Sequence, residues 1–312
     1  MDIFWHILWS NVLPLTLMIA VGFTMQRLFS LDIKTLSKLN FYVFSPSVIF
    51  NLLYTTDISA ALIGQVLLFV ILFMTLQASC VEAAVRLRGL EGGMRGAMRN
   101  SVLFYNSANY GIPLNQLAFS ANPYTLSIQI IVMVTQSLLP NTFGIYSVNA
   151  HRMSFRSTLR TILSQPIIYV IPIAFLLHCF QVQLPQSVET PITYLSNAFI
   201  GTALVTLGVQ LGNMKWELNP VLIKNVLLAN GLRLIGGPAL AALVVWVLGF
   251  FMTIDHMMAA ALIVSSSVPT SLSSVLLAVE FDNEPEFASQ AVFLSTVMSI
   301  ITVAVVIFLL HI

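Results

Sequence analysis

The 13 basic and 12 acidic residues of this 312-residue chain are spaced so widely that the intervals between them constrain its fold more than any motif does. Stretches free of Asp, Glu, Lys and Arg run over 3–26, 39–56, 58–81, 100–151, 161–188, 190–214, 234–254, 256–279 and 287–312. A membrane-spanning helix needs roughly 20 mostly apolar residues to cross a hydrocarbon core about 30 Å thick. Each stretch holds one such span, except that 100–151 holds two, divided at 119–125 (FSANPYT), where Asn122 and Pro123 read as a turn. The chain therefore reads as an all-α polytopic membrane protein with ten transmembrane helices, spans 1–10. Helices are expected rather than strands because the segments are long and continuously apolar.

Assigning the loops to alternate sides of a bilayer puts every basic residue on one side. Arg27, Lys34 and Lys38 follow span 1; Arg86, Arg88, Arg95 and Arg99 follow span 3; Arg152, Arg156 and Arg160 follow span 5; Lys215, Lys224 and Arg233 follow span 7. The other side carries Asp2, Asp57, Glu189 and Asp255. The basic side is cytoplasmic by the positive-inside rule, which predicts a multi-pass cell-membrane protein with both termini extracytoplasmic. The loop 280–286 (EFDNEPE) is acidic yet cytoplasmic by parity; the rule counts Lys and Arg only. Span 1 follows Asp2 rather than a basic segment, so it reads as a span and not as a cleaved signal. A net charge of +1 leaves no basic patch for nucleic acid. Cys80 and Cys179 form no CxxC pair, and His6, His151, His178, His256 and His311 have no ligand partner at i+3 or i+4. No disulfide, metal or cofactor is expected.

Ten spans divide into two fives, and an odd number per half makes the halves run oppositely through the membrane. Pro14 in LPLTLMIAVGF (13–23) pairs with Pro166 in QPIIYVIPIAF (165–175), and Pro113 in span 4 pairs with Pro269 in span 9. The offsets, 152 and 156, differ by 4, which fits the longer loop between spans 6 and 7. With the charge pattern they predict an inverted repeat, residues 1–150 against 151–312.

Spans 4 and 9 share an interruption. Proline cannot donate to the helix ladder, so Pro113 is expected to free the carbonyl of Asn109 and Pro269 that of Ser265. Polar residues gather at both points: Asn106, Asn109, Tyr110 and Gly111 at the first, and Ser265, Ser266, Ser267, Thr270, Ser271, Ser273 and Ser274 at the second. Irregular backbone at membrane depth is tolerated only where it is buried in protein or lines a cavity. Matched interrupted segments in two repeats point to a binding site, and crossed half-helix N-termini suit a carboxylate. Either segment alone is as well explained by packing; the pair at matching positions is better explained by function.

The motif NSANYGIPL (106–114) resembles the broken-helix motif of the auxin efflux carrier family, which includes plant auxin carriers and bacterial permeases for small carboxylates. The ten spans, SPSVIF (45–50) in span 2 and LRLIGGPAL (232–240) in span 8 agree with it. The resemblance covers the whole chain and extends to the bile acid:sodium symporter-like fold. It implies a scaffold domain (spans 1, 2, 6 and 7), a transport domain (spans 3–5 and 8–10) holding two crossed broken helices, elevator-like alternating access and a homodimer. The chain departs from the long plant carriers in having only residues 150–160 as its central connection, which favours the bacterial type. SSSVPTS (265–271) has no asparagine matching Asn109.

Several further residues carry two readings each. Arg233 either snorkels to the cytoplasmic interface, the reading its place at the start of span 8 favours, or serves as counter-charge to an anionic substrate. Asn141, after Pro140 in span 5, either lines the transport domain or bonds a neighbouring helix. Ser45, Pro46, Ser47 and Asn51 kink and polarise span 2, so Ser45 and Asn51 are candidates to face substrate from the scaffold. Ser295, Thr296 and Ser299 read as a packing stripe on span 10. Glu82 reads as a solvated partner of Arg86 at i+4.

These features predict a secondary transporter for a small organic anion, a mono- or dicarboxylate such as malate or malonate, with membrane lipid around it. Alternatives are an exporter of auxin-like aromatic carboxylates and a Na⁺-coupled organic-anion symporter. No carboxylate sits mid-span, so a coupling ion (H⁺ or Na⁺) would have to use freed carbonyls and hydroxyls near Asn109 and Ser265, or protons on the substrate. A channel is a nearer rival, separable because carriers saturate and show counterflow. An enzyme would need a nucleophile–base pair at membrane depth, and the serines at 265–267 have no His or Lys in their span.

Overall fold

The computed structural model describes residues 9, 13–55, 59–144, 156, 160, 163–164, 166–213 and 219–312. Among these the chain is helical, with one isolated antiparallel β-bridge. In order the helices are α1 Leu13–Phe29, α2 Ile33–Leu39, α3 Ser45–Thr55, α4 Ala60–Leu87, α5 Gly92–Leu103, α6 Gly111–Ala118 and α7 Pro123–Leu139. They continue with α8 Pro166–Cys179, α9 Gln186–Asn213, α10 Pro220–Gly231, α11 Gly237–Leu248, α12 His256–Ser266, α13 Leu272–Glu280 and α14 Pro285–Leu310. Single π-turns, Asn40–Phe44 and Leu232–Gly236, join α2 to α3 and α10 to α11; a third, Pro140–Gly144, extends α7. Among the described residues, four helical stretches are long and apolar enough to cross a membrane: 61–87, 186–213, 220–248 and 285–310. Shorter apolar helices run over 16–29, 123–139, 168–179 and 256–266.

Local chemistry sets the helix starts. The expected turn at Asn122–Pro123 is a capped start: Asn122 Oδ1 accepts from the N–H of Tyr124 and of Thr125, and Pro123 fills the first position, where a missing N–H is harmless. Asn219 before Pro220 repeats this device, and Asp255 caps α12 through the Met258 N–H at 2.8 Å. The side chains exposed on the outside are apolar: Ile71, Ile235, Trp246, Phe251, Ile301 and Leu309 are each more than half exposed. In water such a surface would drive aggregation; around a helical membrane protein it is the face that meets lipid.

Two helix pairs hold the interior at one side, α1 on α9 and α3 on α8. The first depends on glycine. A Cβ on Gly208 would lie 2.0 Å from the Ile19 carbonyl oxygen, and one on Gly22 2.0 Å from that of Val205, so the two backbones touch. Close approach of small residues is how helices associate when lipid competes for every apolar surface. At the other side α4, α5, α7 and α11–α14 pack around the two interrupted segments, with Phe69, Phe73, Tyr105 and Tyr110 fully buried among them. Glu82 ties α4 to α5: it pairs with Arg86 at 3.0 Å, as its spacing predicts, and also with Arg95 and Arg99. Overpacking of this kind costs about 1–3 kcal/mol, so Gly208→Leu should lower the melting temperature of detergent-solubilised protein. Gly64→Ala, on α4 where nothing lies within 4 Å, should leave it unchanged or raise it. An unaltered melting temperature for Gly208→Leu would contradict the backbone contact.

Candidate functional site

Both interrupted segments unwind, and they unwind against each other. Residues 104–110 separate α5 from α6, and residues 267–271 separate α12 from α13. The Asn106 N–H donates to the Pro269 carbonyl at 2.8 Å, and the Ser271 N–H donates to the Phe104 carbonyl at 2.8 Å. Tyr105 and Thr270 therefore face each other as an antiparallel bridge at the centre of the fold. The two prolines sit at different points of their interruptions. Pro113 is the third residue of α6; the N–H groups of Ile112 and Leu114 on either side donate to the carbonyls of Ala108 and Tyr110, so its missing donor falls at the Asn109 carbonyl, while the unwinding itself begins earlier, at Phe104. Pro269 lies inside the unwound strand, beyond the end of α12. Val268 precedes it, a position that disfavours helix, and Ser267 turns back onto the Val264 carbonyl with its N–H and hydroxyl, at 3.0 and 2.7 Å.

The bridge leaves two N–H groups pointing away from the pair, and an unpaired buried N–H costs about 1–3 kcal/mol. Side chains from neighbouring helices take them up. Gln136 Oε1 on α7 accepts from the Tyr105 N–H at 3.4 Å, and Ser295 Oγ on α14 accepts from the Thr270 N–H at 3.2 Å. Thr270 Oγ1 donates to the Ser101 carbonyl at 2.8 Å, joining the second segment to the last turn of α5. Asn106 Oδ1 accepts from the Asn109 N–H and shapes the turn into α6. Gln129 Nε2 donates to the Ser107 carbonyl at 2.8 Å, and a Cβ on Gly111 would stand 2.5 Å from that amide nitrogen. The Tyr110 hydroxyl is hydrogen-bonded to Ser299 Oγ at 3.0 Å. The side-chain amide of Asn109 differs from all of these: it is half-buried and has no hydrogen-bond partner among the described residues.

Arg233 does not snorkel to the interface. It is fully buried, which corrects the reading its position in the sequence favours. Its guanidinium donates to Gln77 Oε1 at 3.3 Å, to the Val102 carbonyl at 3.2 Å and to the Ser266 carbonyl, and lies 4.4 Å from the Tyr105 ring centre. The π-turn at Leu232–Gly236 places it there, and Gly237 makes the room: a Cβ on that residue would be 2.6 Å from Arg233 Nη2 and 2.7 Å from the Ser266 oxygen. No carboxylate contacts Arg233 among the described residues.

The crossing thus brings together Asn106, Asn109, Tyr110, Gly111 and Pro113 with Ser265, Ser267, Pro269, Thr270 and Ser271, and sets Arg233 beneath both. Ser265 and Ser266 are buried with hydroxyls that lack partners among the described residues. Ser45 and Asn51 lie on α3; Asn51 Nδ2 is 3.5 Å from Ser196 Oγ of α9. On the same helix, Val48 and Ile49 share a buried cluster with Ile112 of α6. The backbone of Asn141 lies in the π-turn after α7, and its side chain is outside the described residues. Sequence reasoning missed Gln77, Gln129 and Gln136, whose amides serve the crossing from α4 and α7, and it assigned Ser295 and Ser299 to packing. Their signal was available: a glutamine inside an uncharged span needs a partner. A cavity of about 290 Å³ lies apart from the crossing, lined by Leu53 and Ile171 from α3 and α8 and by Ile63, Leu67 and Ile130 from α4 and α7.

Comparison with known proteins supplies the family. Residues 147–307, just over half the chain, match the model of the family described as Membrane transport protein. An uncharacterized transporter of Methanothermobacter thermautotrophicus is 24% identical over 300 residues, covering 94% of this chain and 95% of its own. The chain is a polytopic membrane transporter and belongs to the membrane transport protein family, the auxin efflux carrier-like family that its NSANYGIPL motif resembles.

Proposed function

We propose that the protein is a secondary carrier for a small organic anion, a mono- or dicarboxylate such as malate or malonate, working by elevator-type alternating access. The observation that carries the reading is the pairing of the two unwound segments around a free Asn109 amide. A carboxylate entering this depth must exchange its hydration for fixed donors, and Asn109 at the start of α6 offers an amide N–H₂ beside the partial positive charge of a helix N-terminus. A second reading, an aromatic carboxylate, is favoured by the apolar cavity between α3, α8, α4 and α7, which suits a ring better than malonate does.

The packing supports ten spans in two inverted repeats. Exchange of the halves would map span 1 onto 6, 2 onto 7 and 4 onto 9. The contact of α1 with α9 then corresponds to that of α8 with α3, and the crossing maps onto itself. The same scheme makes α1, α3, α8 and α9 the scaffold and the helices around the crossing the moving body, with Ser45 and Asn51 facing it from α3.

Reconstituted protein offered labelled C3–C5 carboxylates and an aryl-acetate should take up at least one with saturation and counterflow; uptake of none by folded protein would remove the carrier reading. Asn109→Ala deletes one donor to a charged ligand, which should weaken binding by about 5- to 150-fold with little change in membrane level. Binding equal to the parent's would place the substrate elsewhere. For topology, Arg156→Cys in a chain lacking Cys80 and Cys179 should resist an impermeant thiol reagent in intact cells and react after permeabilisation. Labelling from outside would reverse the orientation.

A further inference from the structure

Arg233 touches the ends of two helices at once. An α-helix carries about half a negative charge at its C-terminus, held on its last carbonyls. α5 ends at Leu103 and α12 at Ser266, and the Val102 and Ser266 carbonyls belong to those last turns. One guanidinium binds both. Two half-charges sum to about one, which a single fixed cation offsets. The other neighbours are also groups that suit a cation without adding a carboxylate: the Gln77 amide oxygen at 3.3 Å and the face of Tyr105 at 4.4 Å.

In transporters built on broken helices, half-helix C-terminal ends and unwound carbonyls are where coupling sodium ions are held. Here most of the oxygens nearest the bridge have occupants. The Asn100 carbonyl accepts from the Phe104 N–H and that of Ser101 from Thr270 Oγ1. The carbonyls of Phe104, Asn106 and Pro269 accept from the N–H groups of Ser271, Gly111 and Asn106. Those of Val102 and Ser266 accept from Arg233.

We infer that Arg233 is the resident cation of the crossing: it occupies the half-helix carbonyls that a coupling sodium ion would use, so the protein works without sodium. It is a positioning residue, because it acts on substrate through the two segments it joins. Gly237 is part of the same device, since any side chain there would strike the guanidinium or the Ser266 carbonyl.

The proposal deepens the carrier reading and rests on it only where uptake is measured. Thermal unfolding of the purified protein is compared in sodium chloride, choline chloride and low guanidinium chloride, and uptake by proteoliposomes is compared with sodium or choline on both sides. The parent should melt at the same temperature in sodium and choline and transport equally in both. Arg233→Ala should lose at least about tenfold of uptake, as two lost charge-assisted hydrogen bonds imply. It should regain stability and uptake when guanidinium or sodium is supplied, whereas Gly208→Leu, whose defect is helix packing, should not. Sodium-dependent stabilisation or uptake of the parent overturns the proposal, as does an Arg233→Ala protein indifferent to every cation. Should Arg233→Ala fail to accumulate, the parent's melting in sodium and choline still decides. That arm needs no substrate, so inactivity toward every carboxylate would remove the carrier reading and leave this one standing.

Discussion

A chain that unwinds in the middle of a membrane protein exposes backbone groups that need partners, and here the backbone of a second unwound segment supplies the central ones. Two hydrogen bonds of 2.8 Å, from Asn106 to Pro269 and from Ser271 to Phe104, join regions more than 150 residues apart. Each segment alone would leave buried N–H and carbonyl groups unmet at a cost of about 1–3 kcal/mol apiece. Paired, they form the shortest possible sheet, and the helices around them are arranged to supply what the pair leaves over. Gln136, Ser295, Gln129 and Thr270 each answer one specific backbone group.

The remaining packing divides by the same logic. Where helices run unbroken they meet through glycine and apolar side chains, as α1 and α9 do at Gly22 and Gly208. Where they break, the contacts are polar and numerous, and the fully buried cation of the crossing binds carbonyl and amide oxygens rather than a carboxylate. Burying a charge costs several kcal/mol unless it is well paired. Arg233 is paired with the negative ends of two helices, so its retention and the geometry of the break depend on each other. The half-buried Asn109 amide, with no partner among the described residues, stands beside this paired backbone and is the group we assign to a ligand.

Much of this was legible in the sequence because the bilayer imposes simple rules. Charge spacing placed the apolar segments, Asn122–Pro123 marked the turn between spans 4 and 5, and the polar clusters at 106–113 and 265–271 marked the interruptions. The exact points of unwinding were not legible. Proline was read as the cause of the break, yet in α6 it comes after the chain has already left helical geometry at Phe104. Arg233 was misread for a related reason. A span beginning with a basic residue normally ends at the interface, and only the partner carbonyls of α5 and α12, 131 and 33 residues away, reveal that this one is buried. Long-range hydrogen bonding leaves no local pattern to read.

The most direct test of the crossing is a cross-link between its two central residues. Tyr105 and Thr270 form a non-hydrogen-bonded pair, the register in which opposed Cα atoms lie about 4.5 Å apart and side chains approach most closely. That separation is within the range a disulfide spans. With Cys80 and Cys179 replaced, Tyr105→Cys/Thr270→Cys protein in membranes should therefore form an intramolecular disulfide readily under mild oxidation, read as the two halves of the chain remaining joined after cleavage of the connection at 150–160. Halves that separate after the same oxidation, while each single cysteine is intact, would show that the two interruptions do not meet.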